Sequence, residues 1–65
     1  MKIDWLLTEL DKEVRAYTEL RARLREFPPD SDEYIHVEAD LGIQVIRLKA
    51  EISNVLSAME KTTPS

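Results

Sequence analysis

The sequence predicts an all-α fold, an antiparallel two-helix hairpin that dimerises into a four-helix bundle. The chain of 65 residues has one glycine and no cysteine and is rich in charged residues and leucine, which is typical of helical proteins. Apolar residues recur at steps of three and four in two long segments, separated by Pro28 and Pro29. The second segment carries two apolar stripes, whereas a surface helix needs only one.

The first helix is predicted over residues 3–27. Its apolar side chains share one face of the helix: Ile3, Leu6, Leu7, Leu10, Val14, Tyr17, Leu20, Leu24 and Phe27. Pro28 and Pro29 end the helix, because a proline removes a backbone donor and displaces the preceding residue from the helical conformation. A turn is therefore predicted over residues 28–31.

The second helix is predicted over residues 32–60, with Asp30 or Ser31 as its N-cap. A connection this short makes the two helices antiparallel neighbours. We expect the second helix to pack on the first through a first stripe: Tyr34, Val37, Leu41, Val45, Leu48, Ile52, Val55, Leu56 and Met59. The hairpin forms a single domain over residues 1–61, and residues 62–65 are expected to fray.

The register of the hairpin follows from its turn. If Phe27 faces Tyr34, every layer between the helices is apolar, and Tyr17 meets Val45. The same register places Glu13 level with Lys49 at the edge of the stripes, where an exposed ion pair is expected.

A second stripe on the second helix has no counterpart within the chain. Its members are Ile35, Ala39, Gly42, Ile43, Ile46, Ala50, Ser53 and Ser57. Two copies that cross antiparallel near Ile46 would place mostly large residues against small ones, which suits a two-fold symmetric dimer interface. Gly42 indicates close approach of another backbone, since glycine is costly inside a helix. Trp5 lies off the main stripe of the first helix, and either packs within the dimer or anchors a partner.

No enzymatic chemistry is predicted. The sequence shows no catalytic residues, no cofactor motif and no small-molecule substrate site. Glu33, His36 and Asp40 share a helix face, but we interpret them as a solvated surface rather than a metal site. The chain is small and acidic, with a formal net charge of -4, which disfavours non-specific binding to nucleic acid or membranes. Without a signal peptide or an apolar segment long enough to span a membrane, a cytoplasmic location is expected.

The predicted function is protein–protein interaction, by a homodimeric adaptor, regulator or co-chaperone-like subunit. Its partner is an identical chain or a larger helical protein. The alternative is a nucleic-acid-binding regulator of the hairpin-dimer type, although Arg15, Arg21, Arg23 and Arg25 point around the first helix rather than along one face. In length and layout the chain resembles plasmid copy-number regulators that are helical-hairpin dimers, and the hairpin co-chaperones of type III secretion. That resemblance is one of shape and rests on no shared residues.

Overall fold

Two helices that pack against each other form the hairpin. The computed structural model describes the backbone of residues 2–62 and the side chains of residues 3–61. Helix α1 runs over Lys2–Leu24 and helix α2 over Asp32–Thr62, in a body of 51 × 16 × 11 Å. The prediction of an all-helical hairpin is confirmed. Part of the tail predicted to fray, residues 63–65, lies outside the described residues.

Helix α1 ends three residues earlier than the sequence predicted, at Leu24 rather than Phe27. The amide of Glu26 donates to the carbonyl of Arg23 at 3.0 Å, and that of Phe27 donates to the carbonyl of Leu24 at 3.5 Å. These bonds span three residues, the tighter winding that commonly closes a helix. Pro28 excludes the helical conformation at Phe27, so its influence reaches back into the last predicted turn of α1.

Ser31 is the N-cap of α2. Its Oγ accepts a hydrogen bond from the amide of Tyr34 at 3.2 Å and donates one to the carbonyl of Pro28 at 2.8 Å. The amide of Ser31 also donates to that carbonyl, at 3.1 Å. One side chain therefore joins the proline turn to the start of α2, and of the two predicted candidates Ser31 rather than Asp30 makes the cap.

The less exposed side chains form a seam between the helices, at steps that alternate between three and four. The seam residues on α1 and the turn are Ile3, Leu6, Leu10, Glu13, Tyr17, Leu20, Leu24 and Phe27, and those on α2 are Tyr34, Val37, Leu41, Gln44, Leu48, Glu51, Val55 and Ala58. Such alternation is a repeat of seven residues, the pattern of an antiparallel coiled coil. Glu9 and Ala16 of α1 are half-buried beside the seam.

The seam differs from the predicted stripes at six positions. The side chains expected between the helices but exposed are Leu7, Val14, Val45, Ile52, Leu56 and Met59. Their neighbours Glu13, Gln44 and Glu51 take seam positions instead. The reason is geometric, because a straight helix has 3.6 residues per turn, whereas a helix pair in continuous contact keeps an average of about 3.5. The predicted stripe followed the apolar residues as they drift around α2, and the seam does not.

The core of the hairpin is shallow. Among the described residues the buried apolar side chains are Val37 and Val55, which are 4% and 5% exposed, and the buried polar one is Gln44 at 6%. A single core in a chain this small rarely supplies more than ~3–5 kcal/mol even when it is well packed. The hairpin alone therefore covers little of the apolar surface that its sequence carries.

Replacing the cap tests how α2 begins. Ser31→Ala is expected to lower the free energy of unfolding by about 1 kcal/mol, because the amide of Tyr34 loses its acceptor. The matched control Asp30→Ala should cost only a few tenths of a kcal/mol, roughly the value of an exposed charge near a helix N-terminus. Urea unfolding followed by far-UV circular dichroism measures both, and an equal loss in the two variants would contradict the assignment of the cap.

Candidate functional site

A polar contact crosses the middle of the seam. The Gln44 Nε2 donates to the backbone carbonyl of Glu13 at 3.0 Å and to the Glu13 Oε1 at 2.8 Å. A buried amide without partners costs about 1–3 kcal/mol, so any slip of α2 along α1 that breaks these bonds is penalised. Gln44 therefore fixes the register of the hairpin, as single polar residues do in coiled coils. The ion pair predicted for Glu13 was with Lys49, and Glu13 instead bonds Gln44.

The register set by Gln44 places apolar side chains on one side of the seam. Because the helices run in opposite directions, the residues that follow Leu6 and Glu13 on α1 lie on the same side of the hairpin as those that follow Gln44 and Glu51 on α2. We call this side the apolar flank, and it comprises Leu7, Val14, Val45, Ile52, Met59 and the adjacent Leu56, which are between 37% and 54% exposed.

The opposite side of the seam is polar. On α2 this side carries Asp40, Arg47 and Asn54, which precede Leu41, Leu48 and Val55, and Lys61 one repeat further on; all four are exposed. On α1 the corresponding positions include Glu9, whose Oε2 pairs with the Lys12 Nζ at 2.9 Å. The two sides of one hairpin therefore differ sharply in chemistry, and only one of them offers apolar surface to another chain.

The second stripe lies on α2, on the side away from α1. All eight of its residues are exposed, and Ile35, Ile43 and Ile46 are 55%, 55% and 68% exposed. Apart from Gly42 itself, its two neighbours and the adjacent backbone of α2, no atom of the described residues lies within 4 Å of the position that a Cβ on Gly42 would occupy. Within one chain, therefore, no close backbone contact requires glycine at that position, and the stripe is open along its length.

Trp5 is separate from the second stripe. It lies on α1, two residues beyond the seam residue Ile3, and its side chain is 62% exposed. A displacement of two residues turns a helix by about 200°, so Trp5 points away from the seam. The structure does not bring it together with the predicted interface residues of α2, and most of its indole is open to contact by another chain.

Sequence reasoning missed the apolar flank. The predicted stripes placed its residues inside the hairpin, because they followed apolar side chains such as Val45 and Ile52 in place of their polar neighbours. The available signal was the strict alternation of three and four from Tyr34 onward, which passes through Gln44 and Glu51 rather than Val45 and Ile52. The repeat of seven, with two polar residues in it, distinguishes the seam from a purely apolar stripe of irregular spacing.

The described part of the chain shows no arrangement of side chains typical of a metal site, a basic nucleic-acid-binding face or a membrane-spanning helix. No group of three or more histidine, cysteine or carboxylate side chains between residues 2 and 62 is placed to hold a metal ion. Arg21 and Arg23 lie on opposite sides of the seam rather than on one basic face. Neither helix, over its described length, is apolar for long enough to cross a membrane.

Comparison with protein-family models, with curated proteins and with solved structures finds no match. The features of this chain that bear on its function are therefore its exposed apolar surfaces: the apolar flank, the second stripe and Trp5.

Substitutions at Gln44 separate the packing of the seam from its hydrogen bonds. Gln44→Ala should lower the free energy of unfolding by about 1–3 kcal/mol, because it removes both hydrogen bonds and leaves a space in the seam. The matched variant Gln44→Leu refills that space with an apolar side chain and is expected to be at least as stable as the natural chain. Urea unfolding of both variants measures the difference. An equally destabilised Leu variant would mean that the hydrogen bonds outweigh apolar burial at this position.

Proposed function

We propose that this chain is a small helical protein–protein interaction module, a homodimeric adaptor, regulator or co-chaperone-like subunit without catalysis of its own. One observation supports this function above the others. Ten large hydrophobic side chains are exposed, while two apolar side chains are buried among the residues described. Scattered apolar residues are normal on any protein surface, but contiguous apolar patches mark sites where other proteins bind.

The exposed side chains are contiguous on α2. Its seam faces α1, its apolar flank adjoins the seam, and the second stripe continues around the helix from there. Only the side with Asp40, Arg47, Asn54 and Lys61 is polar throughout. A helix that is apolar around most of its circumference belongs in the interior of an assembly. We therefore propose that other helices cover the exposed apolar surfaces of α2 when the chain assembles.

The partner is a second copy of the chain, a larger helical protein, or both on different surfaces. Self-association would give the four-helix bundle, in which each hairpin contributes two helices. The second stripe supports contact with another helix, because its alanines and serines allow close approach where its isoleucines supply apolar surface. The cytoplasm is the proposed location, and a chain without cysteine suits its reducing conditions.

Assembly should make thermal stability depend on protein concentration. If the folded chain is an oligomer, a hundredfold rise in concentration is expected to raise the midpoint of thermal unfolding by roughly 10 °C through mass action. Far-UV circular dichroism measures the midpoint, and sedimentation equilibrium gives the mass of the assembly at the same concentrations.

A matched pair of variants connects that dependence to the apolar surface. The variant Val45→Glu with Ile46→Glu places one carboxylate on the apolar flank and one on the second stripe, and should abolish the dependence. The control Ala22→Glu with Asn54→Glu adds the same charge at exposed positions outside both surfaces and should retain it. A natural chain that is folded and monomeric at micromolar concentration, with a constant midpoint, would contradict self-association.

A further inference from the structure

We infer that a second copy of this chain docks on the apolar flank, parallel to the first, so that both turns lie at the same end of the bundle. The inference rests on the proposed function, in which the chain buries apolar surface against other helices. It assigns self-association to a surface between α1 and α2 rather than to the second stripe on the far side of α2.

The order of residues along the flank is fixed by the contact between Glu13 and Gln44. Val14 and Val45 directly follow these two residues on antiparallel helices, so they are offset by only about 3 Å along the hairpin and form one level of the flank. Repeats of seven then place Leu7 level with Ile52, and Arg21 level with Glu38. The flank thus has two apolar levels toward the helix termini and one charged level toward the turn, with one acidic and one basic residue.

A two-fold axis parallel to the helices matches every one of these levels. It places α1 of one copy over α2 of the other with their levels aligned, so Leu7 meets Ile52 of the second copy. Val14 meets Val45 of the second copy in the same way. Arg21 of each copy meets Glu38 of the other, so the charged contact forms twice. Opposite charges across an interface fix orientation and register more than they add affinity.

The charged level is available for such contacts. Arg21 and Glu38 are both exposed. The ion pair among the described residues is that of Glu9 with Lys12, so neither Arg21 nor Glu38 forms one with another described residue.

The antiparallel arrangement of two flanks is disfavoured by the same residues. Turning the second copy end over end would place α1 over α1, so that Leu7 meets Arg21 and Ile52 of α2 meets Glu38. Each contact then removes water from a charged group without supplying an opposite charge. When the two flanks overlap along their full length, the distribution of charge therefore favours the parallel dimer over the antiparallel one.

The flank extends along the hairpin on one of its two broad sides. Its six apolar side chains come from both helices and are each between 37% and 54% exposed, so a second copy that docks there would cover apolar surface of α1 and α2 together. The opposite broad side is polar and would remain in water. In this dimer the two copies of the second stripe stay open on opposite sides, where they can bind a larger helical protein.

Charge reversal tests the predicted contact between the two copies. Arg21→Glu and Glu38→Arg should each weaken the homodimer by roughly three- to tenfold, because like charges then face each other across the interface. An equimolar mixture of the two variants should form mainly the heterodimer, in which both contacts are between opposite charges. Native mass spectrometry measures the proportion of heterodimer. Arg15→Glu mixed with Glu19→Arg is the control, and should give the statistical half.

Disulfide trapping gives an independent test, since the natural chain has no cysteine. A tagged Val14→Cys chain mixed with an untagged Val45→Cys chain should form the mixed disulfide faster than either forms a disulfide with itself, because α1 contacts α2 of the other copy. Ile46→Cys alone should form little disulfide. Circular dichroism of the reduced variants confirms that each remains helical.

Three results would overturn the inference. A statistical mixture of the charge variants would show that Arg21 and Glu38 do not meet between chains. Faster disulfide formation of Val14→Cys with itself would indicate the antiparallel arrangement, and efficient formation by Ile46→Cys would place self-association on the second stripe. In each case the natural chain still assembles and the proposed function stands, whereas a constant thermal midpoint contradicts the proposed self-association itself.

Discussion

The bidentate contact of Gln44 with Glu13 is the constraint on which the rest of the structure depends. A seam made only of apolar side chains could slide by one repeat at little cost, because each layer resembles the next. The amide of Gln44 has its two acceptors on Glu13 at a single register, with donor–acceptor distances of 3.0 and 2.8 Å. Register then determines which side chains lie beside the seam, and so what surface the hairpin presents to other proteins.

The polar seam residues have an energetic consequence. Each position occupied by Glu13, Gln44 or Glu51 is one that an apolar side chain could have filled, and the hairpin forgoes that burial. Val14, Val45 and Ile52 are displaced by one position to the apolar flank, where a single chain covers them only in part. The sequence thus weakens the contact within the chain and leaves apolar surface for the proposed contact between chains. In the proposed dimer, the stability of the fold would therefore be coupled to assembly.

Much of the fold followed from the sequence. Two prolines in succession leave few conformations to the turn, and steps of three and four over more than twenty residues are compatible only with helices. The predicted seam was wrong at Gln44 and Val45. Adjacent residues differ by only 100° around a helix, and the apolar valine was expected in the interior rather than the polar glutamine. Gln44 rather than Val45 lies in the seam because this choice keeps α2 in contact with α1 along its length. Such continuity is a property of the helix pair rather than of either segment alone. The apolar flank was missed for the same reason, because it becomes visible only once the polar residues are placed in the seam.

The two exposed apolar surfaces of α2 differ in what they can recognise. The apolar flank combines large side chains from both helices with one charged level, so its recognition is directional and depends on an intact hairpin. The second stripe belongs to α2 alone, and its mixture of isoleucine with alanine, glycine and serine has no charge pattern that would orient a partner. A surface formed by two helices suits a partner of fixed geometry, such as an identical hairpin. A stripe on one helix suits partners that need share only an apolar helical face. The two surfaces therefore fit a module that pairs with itself on one side and remains able to bind different proteins on the other.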